Sequence, residues 1–289
     1  MHSMKKESLI LQSSPGVLRA WIFASRPKTW IAGIAPVAIG GMLAAPLDWI
    51  LFGWTLAFSL FIQIGTNYAN DYYDFLNDVD TDRIGPPRAV SSGWLRPFSM
   101  KIAFSFCFVI AFLASLPLVA ASGYWAFVFV LSSISFGVLY TGGPKPLGYI
   151  GLGELLVLLY FGPIPVIGTY FVQRHDLTWP VCVWSLAPGL LSCAILIANN
   201  LRDEHGDRRA GKKTLVVRFG RPFGAWEYTL TILFGCLVPV FLGQYWFLLL
   251  IPATFPLIKK AFHAQDLRPL LPLTSLFFLV FTGIALCIK

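Results

Sequence analysis

Charge is scarce in this chain. Asp, Glu, Lys and Arg together make up 12% of its 289 residues, against roughly 25% in an ordinary soluble domain. Hydrophobic residues reach 56%, more than a water-soluble core can hide behind so few charges. The same numbers exclude disorder, which needs low hydrophobicity and high charge. Histidine is nearly absent, with four scattered copies, so no zinc ligand set is in view. The five cysteines (Cys107, Cys182, Cys193, Cys236 and Cys287) all lie in apolar runs without a C-x-x-C pair. They read as small buried hydrophobes. The strict alternation of a membrane β-barrel is missing. So is a short apolar segment ending in a small-residue cleavage site, and no removable signal peptide is expected. What remains is an all-α polytopic membrane protein.

Hydropathy and turn residues predict nine spans: Trp30–Ala45, Leu47–Ala69, Ile102–Ala121, Tyr124–Tyr140, Ile150–Val172, Trp179–Ala198, Ala225–Leu242, Tyr245–Ile258 and Leu270–Ile288. In lipid such runs satisfy their backbone as helices. Of the 22 basic residues, all but Arg174 and Lys289 then fall on one side of the membrane. That asymmetry places the N-terminus and this side in the cytosol. It also explains the net charge of +8 by topology, so no nucleic-acid partner is expected. The whole chain, 1–289, reads as one integral-membrane domain with an N-terminal cytosolic segment over 1–24. No obligate protein partner is evident beside the lipid bilayer.

Two long loops on the basic side carry eight of the fourteen acids. The pattern N-x-x-x-D-x-x-x-D occurs in both, as Asn70, Asp74 and Asp78 and again as Asn199, Asp203 and Asp207. If each preceding helix continues, the three side chains of each motif share one face. The motifs are four spans apart, which suggests two related four-helix halves plus one further helix. Packed carboxylates repel and a divalent cation relieves that; Asp and Asn oxygens suit magnesium or calcium. The rest of both loops is basic, including Arg88, Arg202, Arg208 and Lys212. Acid for a metal and base for an anion, at a membrane surface, describe a diphosphate site.

These motifs, Asn70-Asp71-Tyr72-Tyr73-Asp74 above all, resemble the UbiA superfamily of membrane prenyltransferases. Ser25-Arg26-Pro27-Lys28-Thr29-Trp30, Gly85-Pro86-Pro87-Arg88, Gly151-Leu152-Gly153-Glu154 and Ala210-Gly211-Lys212-Lys213-Thr214 narrow the likeness to the 1,4-dihydroxy-2-naphthoate polyprenyltransferases of menaquinone synthesis. The resemblance implies helices ringed around a central cavity, magnesium as cofactor, and polyprenyl diphosphate and an aromatic acceptor as substrates. The products it implies are pyrophosphate, carbon dioxide and demethylmenaquinone, made at a bacterial plasma membrane. Other acceptors in the superfamily are 4-hydroxybenzoate and tetrapyrroles. The rival from another class is a cation-coupled transporter, whose sites lie near the bilayer midplane.

On this reading Asp74 and Asp203 are catalytic, with Asn70, Asp71, Asp78, Asp80, Asn199 and Asp207 as further metal ligands. Arg88, Lys145, Arg202, Arg208 and Lys212 contact diphosphate. Tyr140 joins the catalytic set because the family has a similar Tyr and Lys where this chain has Tyr140 and Lys145. Glu154, entering the fifth span, and Arg26 face the acceptor. Asp78 and Asp80 compete for one role. On a continuous helix Asp78 lies about 40° from Asp74 and Asp80 about 120°, which favours Asp78. Relatives in the naphthoate branch often carry Gly at the first place and an acid at the second, which favours Asp80.

Overall fold

The structure is a computed structural model and describes residues 15–79 and 85–287. Among these residues it is all helical, with no strand. The α-helices are α1 (Val17–Ser25), α2 (Trp30–Ala44), α3 (Trp49–Leu76), α4 (Pro97–Ser122), α5 (Trp125–Leu139), α6 (Gly153–Tyr160), α7 (Pro163–Arg174), α8 (Trp179–Arg209), α9 (Leu215–Phe219), α10 (Arg221–Leu237), α11 (Ile251–His263) and α12 (Leu270–Cys287).

All nine expected spans are mainly helical, but not all are equal. Seven stretches among the described residues are long and apolar enough to cross a membrane: Trp49–Leu76, Pro97–Ser122, Gly153–Arg174, Trp179–Arg209, Arg221–Leu242, Tyr245–His263 and Leu270–Cys287. The helices α2 and α5 have 15 residues each, about 22 Å against a hydrocarbon core of about 30 Å. The stretch Gly153–Arg174 is broken between α6 and α7. There Gly162 lies against Gly189 of α8, so close that a Cβ on it would meet the Gly189 Cα at 2.9 Å. Pro163 then starts a new helix where its missing N–H does no harm.

A large apolar core joins α2, α7, α8, α10, α11 and α12, with Leu191, Ile197, Tyr228, Phe247, Phe278 and Phe281 fully buried in it. A smaller one joins α3 to α4 through Ala69, Phe104 and Phe108. A third, of Ala20, Ala24, Ala89, Val90, Leu95 and Met100, packs α1 on the loop after α3. The described part of 1–24 is therefore an integrated helix and no free tail. Its elbow into α2 is held from α3: Asn67 Nδ2 donates to the Ser25 carbonyl at 2.9 Å, and Gln63 Nε2 to the Thr29 carbonyl at 3.2 Å. The C-terminal end of α3 and α8, and the N-terminal end of α4, α6 and α10, meet at one end of the bundle, where both acid motifs lie.

Candidate functional site

The two motif helices end in the same way, but not where the shared spacing predicts. Helix α3 stops at Leu76. Asp78 N–H donates to the Phe75 carbonyl at 3.2 Å and Val79 N–H to the Asp74 carbonyl at 3.0 Å, with Asp78 at φ +51°. At the end of α8, Gly211 N–H reaches the Arg208 carbonyl at 3.2 Å and Lys212 N–H the Asp207 carbonyl at 2.9 Å, with Gly211 at φ +73°. Both are paired 5→2 and 6→1 helix terminations with a left-handed residue after the cap. The terminations therefore align Asp74 with Asp207, one turn away from the register of the sequence motifs. The second motif is helical throughout. The first is helical only through Asp74, so the expected common face of Asn70, Asp74 and Asp78 is not formed. Asp78 is exposed at the turn, because it is itself the left-handed residue just past the end of the helix. Asp80 lies outside the described residues.

Asp74 is the hub. Its Oδ2 accepts from Arg88 Nη2 at 2.8 Å and its Oδ1 from the Tyr149 hydroxyl at 2.6 Å. Lys212 Nζ stands 3.8 Å from that Oδ1 and 3.2 Å from Asp207 Oδ1, and lies over the Tyr149 ring at 4.6 Å from its centre. One ammonium thus joins the buried carboxylates of both motifs. It reaches them because the turn at Gly211 folds Lys212 back over the last turn of α8. No spacing in the sequence points to Tyr149; the 141–152 connection brings it to Asp74.

Asp203 is paired on its own helix. Arg202 donates Nε to Asp203 Oδ1 at 2.7 Å and Nη2 to Oδ2 at 2.5 Å, and Nη2 also reaches Asn199 Oδ1 at 2.6 Å. The loop after α3 lies across this pair: a Cβ on Gly85 would stand 2.7 Å from Arg202 Nη2. Asn70 Oδ1 accepts from the Thr141 hydroxyl at 2.7 Å.

Other expected residues sit differently. Asp71, expected as a metal ligand, uses Oδ2 for the Ala89 amide and Oδ1 for the Val90 amide, both at 3.0 Å. It is one residue round the helix from Asn70, and clamps the loop instead. Arg208 is exposed and pairs with Glu204 at 2.9 Å. Lys145 is exposed in the connection between α5 and α6. Arg26 occupies the elbow after α1 at φ +52°. Glu154 Oε1 accepts from Asn200 Nδ2 at 2.9 Å. The Tyr140 hydroxyl lies beside Gly153, where a Cβ would come within 3.1 Å of it.

No group of three or more acids, histidines or cysteines converges on a metal position among the described residues. The donor set still fits a hard cation. Asp74, Asp203 and Asp207 are buried; Asp74 and Asp207 already share one cationic nitrogen, Lys212 Nζ, and Asp203 holds the Arg202 guanidinium. Magnesium asks for one or two carboxylates and completes its shell with water and phosphate.

The UbiA prenyltransferase family model matches residues 34–286. A 1,4-dihydroxy-2-naphthoate octaprenyltransferase of Mycobacterium tuberculosis is 42% identical over 203 residues, 69% of this chain and 70% of the relative. One of Escherichia coli is 38% identical over 230 residues, 76% of this chain and 74% of the relative. A solved UbiA homolog from Archaeoglobus fulgidus bound to DMAPP and Mg2+ is similar in fold, with a TM-score of 0.66 at 15% identity, covering 93% of this chain and 99% of that one.

Proposed function

The chain belongs to the UbiA prenyltransferase family and is an integral membrane protein, and on that premise we propose that it transfers a polyprenyl group from polyprenyl diphosphate to 1,4-dihydroxy-2-naphthoate. Pyrophosphate and carbon dioxide leave, and demethylmenaquinone is the product. The observation that carries this reading is the joining of two buried carboxylates from separate motifs, Asp74 and Asp207, by one lysine at one end of an apolar bundle. A charged head and a long hydrocarbon tail need such an end and such a bundle. The relatives named for this reaction supply the acceptor.

The site's own residues do the following. Arg88 and Lys212 exchange their carboxylate partners for the diphosphate oxygens, and Arg202 lends charge from α8. This leaves Asp74, Asp203 and Asp207, with the Asn70 and Asn199 amide oxygens, as the groups that would hold magnesium. The metal's chemistry there is added positive charge against the departing pyrophosphate. Tyr149 keeps Asp74 oriented through its hydroxyl, and Tyr140 donates from the opposite side. Ring faces near the diphosphate end stabilise the developing allyl cation. The enzyme works at a bacterial plasma membrane with its motif end in the cytosol, and 1–289 form one domain.

Purified protein is incubated with farnesyl diphosphate and each of 1,4-dihydroxy-2-naphthoate and 4-hydroxybenzoate, and products are identified by mass spectrometry. Prenylated naphthoquinol is expected with magnesium and none with excess chelator. Full turnover under chelation overturns the metal assignment, and exclusive prenylation of 4-hydroxybenzoate overturns the acceptor.

A further inference from the structure

Glu227 stands in α10 among apolar neighbours, and neither the motifs nor the mechanism above uses it. A carboxylate in such a segment is costly and as a rule faces the protein interior. Its Oε2 is buried and has no hydrogen-bond partner among the described residues. It lies close enough to Glu154 of α6 for the two charges to repel. Helix α8 holds Glu154: Asn200 donates to Glu154 Oε1 at 2.9 Å, and Cys193 Sγ donates to the Glu154 carbonyl at 3.2 Å; α10 packs along the same helix. The Tyr140 hydroxyl lies beside Gly153, the residue before Glu154. Among the described residues no ion pair is made to either glutamate, and Arg221 of the same helix donates to the Ala264 carbonyl instead.

A buried carboxylate oxygen without a donor is costly, and a second carboxylate close enough to repel it adds to the need for one. We propose that Glu227, through its buried and unpartnered Oε2, is an acceptor-binding residue whose carboxylate takes a hydrogen bond from a ring hydroxyl of the hydroxylated aromatic substrate. The inference rests on the prenyl-transfer reading and adds a residue and an orientation to it. A flat apolar ring with O–H groups supplies what this part of the bundle lacks. The substrate's own carboxylate is repelled by the glutamate pair and turns towards the basic motif end. The ring therefore sits with the hydroxyl farther from its carboxylate turned inward to Glu227.

The test is steady-state kinetics in lipid nanodiscs, varying the naphthoate and farnesyl diphosphate separately. Glu227→Gln keeps the shape but turns one acceptor oxygen into a donor. Its KM for the naphthoate should rise at least about tenfold, as loss of a hydrogen bond to a charged group implies, with the KM for farnesyl diphosphate within twofold of wild type. Wild type should also bind the hydroxyl compound at least about tenfold better than its methyl ether as a competing ligand, and the variant should not distinguish them. If Glu227→Gln does not fold, Glu227→Leu, which suits an apolar helix, answers the same question. An unchanged naphthoate KM, or both KM values rising together, overturns the proposal. If wild type prenylates no hydroxylated arene at all, the functional reading falls and this inference with it; if it does and the folded variant matches it, only this inference falls.

Discussion

Asp78 occupies the position at which a helix most often carries glycine. Its φ of +51° costs an L-residue free energy that glycine does not spend, and an acid there also opposes the helix dipole. Asp78→Gly should therefore raise the melting temperature, by the equivalent of about 0.5–1 kcal/mol, with turnover and magnesium dependence within twofold of wild type. A lowered melting temperature in a detergent thermal scan, or a collapse of turnover, would contradict the position given to Asp78. Lys212 presents the opposite case. Replacing it with Met keeps the length but leaves Asp74 and Asp207 without their shared cation. Turnover should fall at least about a hundredfold, as for loss of one strong electrostatic stabiliser. Asp74→Ala and Asp203→Ala should fall as far, and a near-normal rate in any of the three refutes its role.

At the scale of elements, the site depends on how one loop is pinned. The Asp71 carboxylate holds the amides of Ala89 and Val90, and the same loop presents Arg88 to Asp74 and lays Gly85 on Arg202. Charge-assisted bonds of this kind contribute about 1.5–3 kcal/mol each. Asp71→Ala should thus lower thermal stability markedly and raise the rate of proteolysis within 85–95, with loss of activity following from the freed Arg88. Cleavage no faster than in wild type would show that the loop is held by other contacts. The helix termination at Gly211 acts similarly. Gly211→Val forces a β-branched residue into a left-handed position, so Lys212 should swing off Asp207 and both turnover and melting temperature should drop.

For the whole molecule, the prediction concerns orientation. With the motif end in the cytosol, a single cysteine at Ser91 in an otherwise cysteine-free chain should be labelled by a membrane-impermeant thiol reagent only after cells are permeabilised. One at His175, in the connection after α7, should be labelled in intact cells. The reverse pattern would invert the topology read from the basic residues.

Composition alone determined that this chain is helical and lives in lipid, because scarce charge and long apolar runs leave no other way to satisfy the backbone. The spacing of Asn and Asp marked both motifs, and the one-sided Lys and Arg make the topology that cysteine labelling tests, since these are local or additive properties of the chain. The tertiary structure decided what depends on where helices stop and what crosses them. A left-handed Asp78 ends α3 early, so the wheel that favoured it over Asp80 does not apply. Two matching terminations set Asp74 opposite Asp207, one turn from the register of the repeat. Asp71 became a loop clamp and Arg208 a surface pair because neighbouring positions on a helix face different partners. Tyr149 and Glu227 came into view only through connections and packing between elements distant in sequence. No spacing rule links residue 74 to 149, or 154 to 227; only the bundle brings them together.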